Sequence, residues 1–381
     1  MKPSRCRSLL PLLLMACVVG QTVPLKTARG GEDLQTTLPP IIYAVVGIKT
    51  NIYFDNIVIV KDTTAYQFKF TGDLGTTHTK RWTLTATVQQ LGDHPLSLQV
   101  NAADGAPLAK ANTIVRVIPA KSESQEPLKL LIIGDSLTHA TTYCNEIARL
   151  LSQPNNPPWK MLGTHKPTSA ADGVAHEGYG GWTWQRFASH FEPNPDGTYK
   201  KRSSPFVYQS STGKPTLNVP KYFAEQCDGE IPDIIVIMLG INDCFSANSN
   251  DPASINSRVD SMFGHANILL KALRSAAPKA RIGICLTTPG NSRQEAFQAN
   301  YQDRYTRWGW KRIQHQLVQR QIAFVQSAQK QDEPLFIIAT QLNLDTIGGY
   351  PVNNGVHPNA VGYKQIGATI YAAIKANLIG R

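Results

Sequence analysis

Leu128-Lys-Leu-Leu-Ile-Ile133, running directly into Gly134-Asp135-Ser136-Leu137-Thr138, is the stretch on which the fold of this chain turns. An aliphatic run that ends in glycine and then Asp-Ser reads as a buried strand turning sharply into a helix at the carboxyl edge of a sheet. Open α/β folds place their ligands at that edge. A serine there exposes its hydroxyl and holds its backbone N–H near a helix N-terminus, so one residue can supply both a nucleophile and an oxyanion donor. Taken alone, Ser136 reads equally well as a helix cap. The choice between the two depends on what else falls at strand ends.

From Leu128 onward, apolar strands alternate with helical stretches, the pattern of a parallel sheet covered on both faces. Strands are predicted at 128–133, 234–239, 282–286 and 335–338. Helices are predicted near 143–152, 257–277, 296–329 with breaks, and 360–376. The Pro-, Ser-, Lys- and Gly-rich stretch 191–222 reads as a long loop of the kind that shapes substrate access. Upstream the texture differs. Between residues 36 and 120, short alternating runs such as Trp82-Thr-Leu-Thr-Ala-Thr-Val88 and Leu96-Ser-Leu-Gln-Val100 are separated by turn residues. These predict a small antiparallel β-sandwich domain, including a strand over Ile57-Val-Ile-Val60, with a spacer or lid role favoured over ligand binding. Residues 121–127, Lys-Ser-Glu-Ser-Gln-Glu-Pro, form a polar linker to a second domain over 128–381.

The first 30 residues carry Lys2, Arg5, Arg7, Lys26 and Arg29 with no acid, followed within the leader by an apolar run too short to span a bilayer. They read as an export signal, giving a secreted or periplasmic protein. Cys17, in Leu14-Met-Ala-Cys17, offers a minority reading as a lipoprotein, the one route to a membrane. The formal net charge of +11 falls to +6 without this segment, and the basic residues that remain are scattered, apart from Lys200-Lys-Arg202 in a Pro- and Ser-rich loop. Nucleic-acid binding calls for clustered cations beside groove-reading elements, which are missing. Beyond the leader stand Cys144, Cys227, Cys244 and Cys285, whose pairing the sequence leaves open. None has CxxC spacing, and a zinc site is not expected.

Three more segments fall where the sheet would deliver its loops. Gly178-Tyr-Gly-Gly181, followed by Trp182-Thr-Trp184, is a glycine turn whose backbone can approach a substrate oxygen. Gly240-Ile-Asn242-Asp243 follows the strongest strand, and Val356-His357-Pro358-Asn359 precedes the last helix. Each has an ordinary structural reading of its own, but their joint occurrence in this order points to a site.

Together these segments resemble the four blocks of the SGNH hydrolases, also called GDSL esterases, from Leu128 to the C-terminus. The resemblance implies a three-layer α/β/α, flavodoxin-like domain and metal-free, cofactor-free hydrolysis of esters. The missing second glycine of G-x-S-x-G argues against an ordinary α/β-hydrolase. On that resemblance Ser136 is the nucleophile and His357 its base, with the oxyanion held by the N–H groups of Ser136 and Gly180 and by the Asn242 amide. The family places an acid three residues before the histidine, and here that position is Asn354. An Asn carbonyl can orient a histidine without supplying a counter-charge. The alternatives are a Ser-His dyad helped by Asn354 or a backbone carbonyl, an acid from elsewhere such as Asp345, or deamidation at Asn354-Gly355. His139, three residues after Ser136, is the rival base.

The expected function is therefore serine ester hydrolysis, most simply removal of short acyl groups such as acetyl from carbohydrate. Trp182, whose ring could stack on a sugar, and Asp135 are the expected substrate-binding residues. The partners expected are small-molecule or polysaccharide esters. The competing functions are a lipase or lysophospholipase type of acylhydrolase and a non-catalytic carbohydrate-binding protein with a decayed site.

Overall fold

A computed structural model describes residues 34–122, 126–154, 156–302, 304–331 and 333–378. The export signal, Cys17 and the middle of the linker lie outside the described residues.

The N-terminal β region consists of two facing sheets. β1 (Ile41–Val45), β7 (Pro107–Ile118), β6 (Gly92–Ala102) and β3 (Tyr66–Thr71) form one in that order. β2 (Lys49–Tyr53), β5 (Arg81–Thr85) and β4 (Thr76–Thr77) form the other. Ile42, Ile52, Trp82, Leu98, Val100 and Val115 fill the space between them. The sandwich is not wholly antiparallel as expected, because β1 pairs in parallel with β7. The reason is local: at Gly47, with φ at +79°, the chain leaves β1 for the opposite sheet instead of folding back beside it. Nor do Ile57–Val60 form a regular strand. They follow a single 3-10 turn at Phe54–Asn56, and Ile57, Val58 and Val60 are all buried where strand alternation was expected.

The second region is a parallel sheet between two helical layers. Its central strands are β8 (Leu128–Gly134), β13 (Ile234–Met238), β14 (Arg281–Cys285) and β15 (Leu335–Ile338). On the far side of β8, β9 (Trp159–Leu162) pairs with its first half and β10 (Glu177–Gly178) with its end. The order is that of a flavodoxin-like sheet with its second strand split in two, and every pairing is parallel. Successive residues of these strands serve opposite faces. Leu131, Ile133, Ile235, Ile237 and Ile284 face one layer. It contains α3 (Trp184–Ser189), α4 (Val219–Gln226), α6 (Pro252–Ala276) and α8 (Arg307–Gln329). Leu130, Ile132, Val236, Phe336 and Ile338 face the other, formed by α2 (Thr142–Leu151) and α9 (Ala360–Ala376). Burial on both faces explains why these strands read as unbroken apolar runs. The stretch 191–222, expected as loop, holds a hairpin of β11 (Val207–Gln209) and β12 (Pro215–Leu217) and the start of α4.

The two regions share their cores. Val45 and Ile118 join the α2/α9 side of the second region, and Ala339 and Leu342 complete the packing of the first. Asn56 Nδ2 donates to the carbonyls of Gln341 (2.7 Å) and Leu344 (2.8 Å). Asn51 donates through its backbone N–H (2.9 Å) and Nδ2 (2.8 Å) to Asn343 Oδ1. Asp55 reaches further, accepting from Lys311 Nζ at 2.6 Å, from Ser292 Oγ, and from Thr346 Oγ1 at 3.3 Å. Cys144, Cys227, Cys244 and Cys285 are buried free thiols. Among the described residues no helix is long and apolar enough to cross a membrane.

Candidate active site

The turn after β8 is tight enough to demand glycine. A Cβ on Gly134 would lie 1.8 Å from Thr138 Oγ1. Asp135 then caps the four-residue helix α1 (Ser136–His139), accepting the Leu137 N–H on Oδ1 at 3.0 Å. Ser136 is the first residue of that helix. The cap is therefore Asp135 and not Ser136. The Asp135 side chain is only 2% exposed, and burial pushes its carboxyl up to about 7.

Two other strand ends converge here. β10 leads into Tyr179, whose N–H donates to the Gly134 carbonyl at 3.1 Å and ties the glycine turn to the end of β8. Gly181, with φ at +75°, completes that turn. Gly180 lies against the ring of Tyr199, and a Cβ there would press on Tyr199 Cε2 at 3.1 Å. After β13, Gly240 takes φ +136° to start α5 (Ile241–Cys244), and Asn242 sits in its first turn. Asn242 Nδ2 donates to the Trp182 carbonyl at 3.1 Å and lies 3.4 Å from Asp135 Oδ2. Among the described residues, the backbone N–H groups of Ser136 and Gly180 have no protein acceptor. Both residues line the same cleft as Asn242.

His357 arrives from the loop before α9, with Nε2 3.0 Å from Ser136 Oγ. Burial holds its imidazole below the usual value of 6.5. The group expected behind the ring is elsewhere. Asn354 Oδ1 accepts from the backbone N–H groups of Val356 (3.1 Å) and His357 (2.9 Å), closing a turn instead of meeting the imidazole. Asp345 Oδ1 likewise accepts from the Ile347 and Gly348 N–H groups, each at 2.9 Å. Among the described residues nothing hydrogen-bonds His357 Nδ1.

What fixes the loop is Asn291, a residue that sequence reasoning missed. It is 1% exposed; its Nδ2 donates to the carbonyls of Asn354 (3.0 Å) and Pro351 (2.9 Å), and its N–H to that of Gly355 (2.8 Å). The neighbouring Ser292 is the residue bound to Asp55 of the β region.

His139 is turned away from the serine. Its Nδ1 lies 3.3 Å from the Gly178 carbonyl, and its ring stacks on His165 with centroids 4.9 Å apart.

Trp182 needs correction as a substrate-binding residue. It is fully buried, packed between Tyr179 (4.6 Å) and Phe187 (4.8 Å), with the Arg186 guanidinium 4.8 Å over its ring. It closes the glycine turn, its N–H donating to the Tyr179 carbonyl at 3.1 Å, and its ring lies in the core, so only its carbonyl serves the site, by holding Asn242. The aromatic surface of the cleft comes instead from Phe245, Tyr199, Tyr301, Tyr305, Trp310 and Tyr363. The signal for Tyr301, Tyr305 and Trp310 in the sequence was the density of Tyr and Trp at the break between α7 (Gln294–Tyr301) and α8. The cleft encloses about 580 Å3, within the usual range for small-molecule sites.

No curated protein matches the chain. Among solved structures, a carbohydrate esterase family 3 protein from Talaromyces cellulolyticus aligns at 20% identity and TM-score 0.39, covering 66% of this chain and 98% of its own. A carbohydrate acetylesterase from Sinorhizobium meliloti aligns at 15% identity and TM-score 0.36, covering 65% and 99%. An aryl esterase from M. smegmatis aligns at 13% identity and TM-score 0.37, with the same coverages. The model of the GDSL-like lipase/acylhydrolase family matches residues 132–365, which begin inside β8 and take in every strand end described above. The chain belongs to that family and is an ester hydrolase.

Proposed function

We propose that the chain hydrolyses carboxylic esters through an acyl-enzyme on Ser136, with His357 as base, and that its substrates carry short acyl groups such as acetyl on carbohydrate. The observation that carries this reading is the 3.0 Å approach of His357 Nε2 to Ser136 Oγ at the mouth of a cleft. With its proton on Nδ1, the imidazole accepts the Ser136 O–H proton at Nε2 as Oγ attacks the ester carbonyl. Negative charge grows on the carbonyl oxygen, facing the N–H groups of Ser136 and Gly180 and the Asn242 amide. The imidazolium returns its proton to the departing alkoxide, leaving an acylated serine. Water, deprotonated by the same histidine, then releases the acid.

Burial of His357 favours its neutral form, the one a base needs. Asp135, an expected substrate-binding residue, acts in this reading as the cap that presents Ser136. The carbohydrate part is supported by aromatic faces set beside polar groups around the cleft, since a sugar offers both C–H faces and hydroxyls. The β region contributes support, through Asp55 and Asn56, to the loops that carry His357.

Hydrolysis of p-nitrophenyl acetate by the wild type and by Ser136→Ala and His357→Ala tests the catalytic part. Loss of turnover in both is expected. Full turnover without Ser136, or a collapse on replacing His139 but not His357, would overturn it.

A further inference from the structure

We infer that the catalytic cleft continues into a second subsite, which holds the sugar unit next to the acylated one. This rests on the serine esterase reading and narrows its substrate to oligosaccharide or polysaccharide esters.

Beside the cleft lies a second cavity of about 400 Å3, and the two share Phe245, Tyr305 and Trp310 in their walls. The second cavity is built by the turn after α5 on one side and by the start of α8, with the turn before it, on the other. Tyr305 is the shared ridge. Its ring stands edge-on to Phe245 (5.3 Å) and Tyr301 (5.0 Å), and the Arg304 guanidinium lies 5.1 Å over it. Trp308 lines only the second cavity, half-buried, with Lys61 Nζ of the β region 5.9 Å from its ring.

The chemistry of this wall selects the occupant. Trp308 and Tyr305 offer flat faces that fit the C–H face of a pyranose, whereas Ser246, Asn250 and Thr306 place hydroxyl and amide groups around them. No carboxylate is among the described lining residues, and Arg304 adds a donor for hydroxyl oxygens. A long acyl chain would leave these polar groups desolvated without partners, at a cost that disfavours it. A glycosyl unit pairs them. An ester on one sugar of a chain can therefore place its acyl carbonyl at Ser136 while the next unit crosses the Tyr305 ridge.

The test compares p-nitrophenyl acetate, an acetylated methyl glucoside, acetylated gluco-, xylo- and galacto-oligosaccharides of four units, and p-nitrophenyl octanoate. Two variants keep the result readable: Trp308→Ala removes the platform, and Ser246→Arg fills the cavity from an exposed position. The wild type is expected to show at least tenfold higher kcat/KM on one tetrasaccharide series than on the monosaccharide ester. Both variants are expected to lose that advantage and to keep p-nitrophenyl acetate turnover. Equal effects on all substrates, no effect on any, or a selective loss of octanoate hydrolysis would each overturn the subsite. If p-nitrophenyl acetate turnover survives Ser136→Ala, it is the catalytic reading that fails instead.

Discussion

In the proposed mechanism, replacing Asn242 by alanine isolates one oxyanion donor from the other two. The side-chain amide has two N–H groups, and the 3.1 Å bond to the Trp182 carbonyl occupies one of them. The other has only the 3.4 Å approach to Asp135 Oδ2, long for a hydrogen bond, and so is available to a developing oxyanion. Losing one such donor raises the barrier by about 3 kcal/mol, or on the order of 100-fold in kcat. KM should change little, because the ground-state carbonyl carries little charge. The same substitution strips the Trp182 carbonyl of its donor, which costs about 1 kcal/mol of stability and is read separately as a lowered melting temperature. Steady-state kinetics on p-nitrophenyl acetate, with thermal denaturation of the same preparations, separates the two effects. A folded Asn242→Ala protein with kcat within twofold of the wild type would refute the assignment of the amide to the oxyanion.

Three further outcomes are expected. With only burial acting on His357, the acid limb of kcat/KM should lie below 6.5, activity rising with pH as the imidazole loses its proton; an apparent value at or above 6.5 would reveal an unseen acid partner. Asp55→Ala should destabilise the chain by about 3–5 kcal/mol in chemical denaturation, because Lys311 would be left buried without its partner; a loss under about 1 kcal/mol would show the pair to be dispensable. Asp243 is pushed from 3.8 up to about 7, chiefly by burial, so the native state holds a proton that the unfolded chain has released; stability therefore falls as pH rises from about 4 through about 7. In Asp243→Asn the drop in melting temperature between pH 5 and pH 8 should narrow, Asp135 retaining the rest, and an unchanged drop would contradict the shift.

The parts of this fold that the sequence makes legible are those decided within a few residues. β8, β13, β14 and β15 are buried on both faces, so each is an unbroken aliphatic run. β9 and β10 are short, and Lys160 interrupts the first; their identity as strands comes from pairing with β8. Ser136, Gly180, Asn242 and His357 fall at strand and loop ends that chain order alone brings near one edge. The direction of a side chain is another matter. Trp182 stands beside a glycine turn in sequence, yet its ring is buried between Tyr179 and Phe187. Asn354 occupies the position of an acid, yet its oxygen is taken by amides two and three residues on. Tyr199 and Asn291 approach from segments 63 and 66 residues away from Ser136 and His357 respectively, and no local pattern marks them.

In the proposed mechanism the base, His357, has no carboxylate behind it among the described residues and must have its orientation supplied in another way, and the hydrogen bonds around residue 354 indicate how. An Asp–His pair fixes the ring directly; here the backbone that carries the ring is fixed instead. Asn354 closes the turn on the His357 N–H, Asn291 clamps the carbonyls of Pro351, Asn354 and Gly355, and Asn359 caps α9 just beyond it. Ser292, adjoining Asn291, is bound to Asp55, whose charge Lys311 neutralises. In the proposed mechanism the β region thereby helps to position His357, although none of the cleft-lining residues belongs to it. Orientation of this kind restrains the loop but adds no counter-charge to the imidazolium. The expected consequence is a histidine that stays neutral below the usual imidazole value and a rate limited by the stability of the charged intermediate. That places more of the burden of catalysis on the oxyanion donors, with Asn242 the one among them that a single substitution can remove.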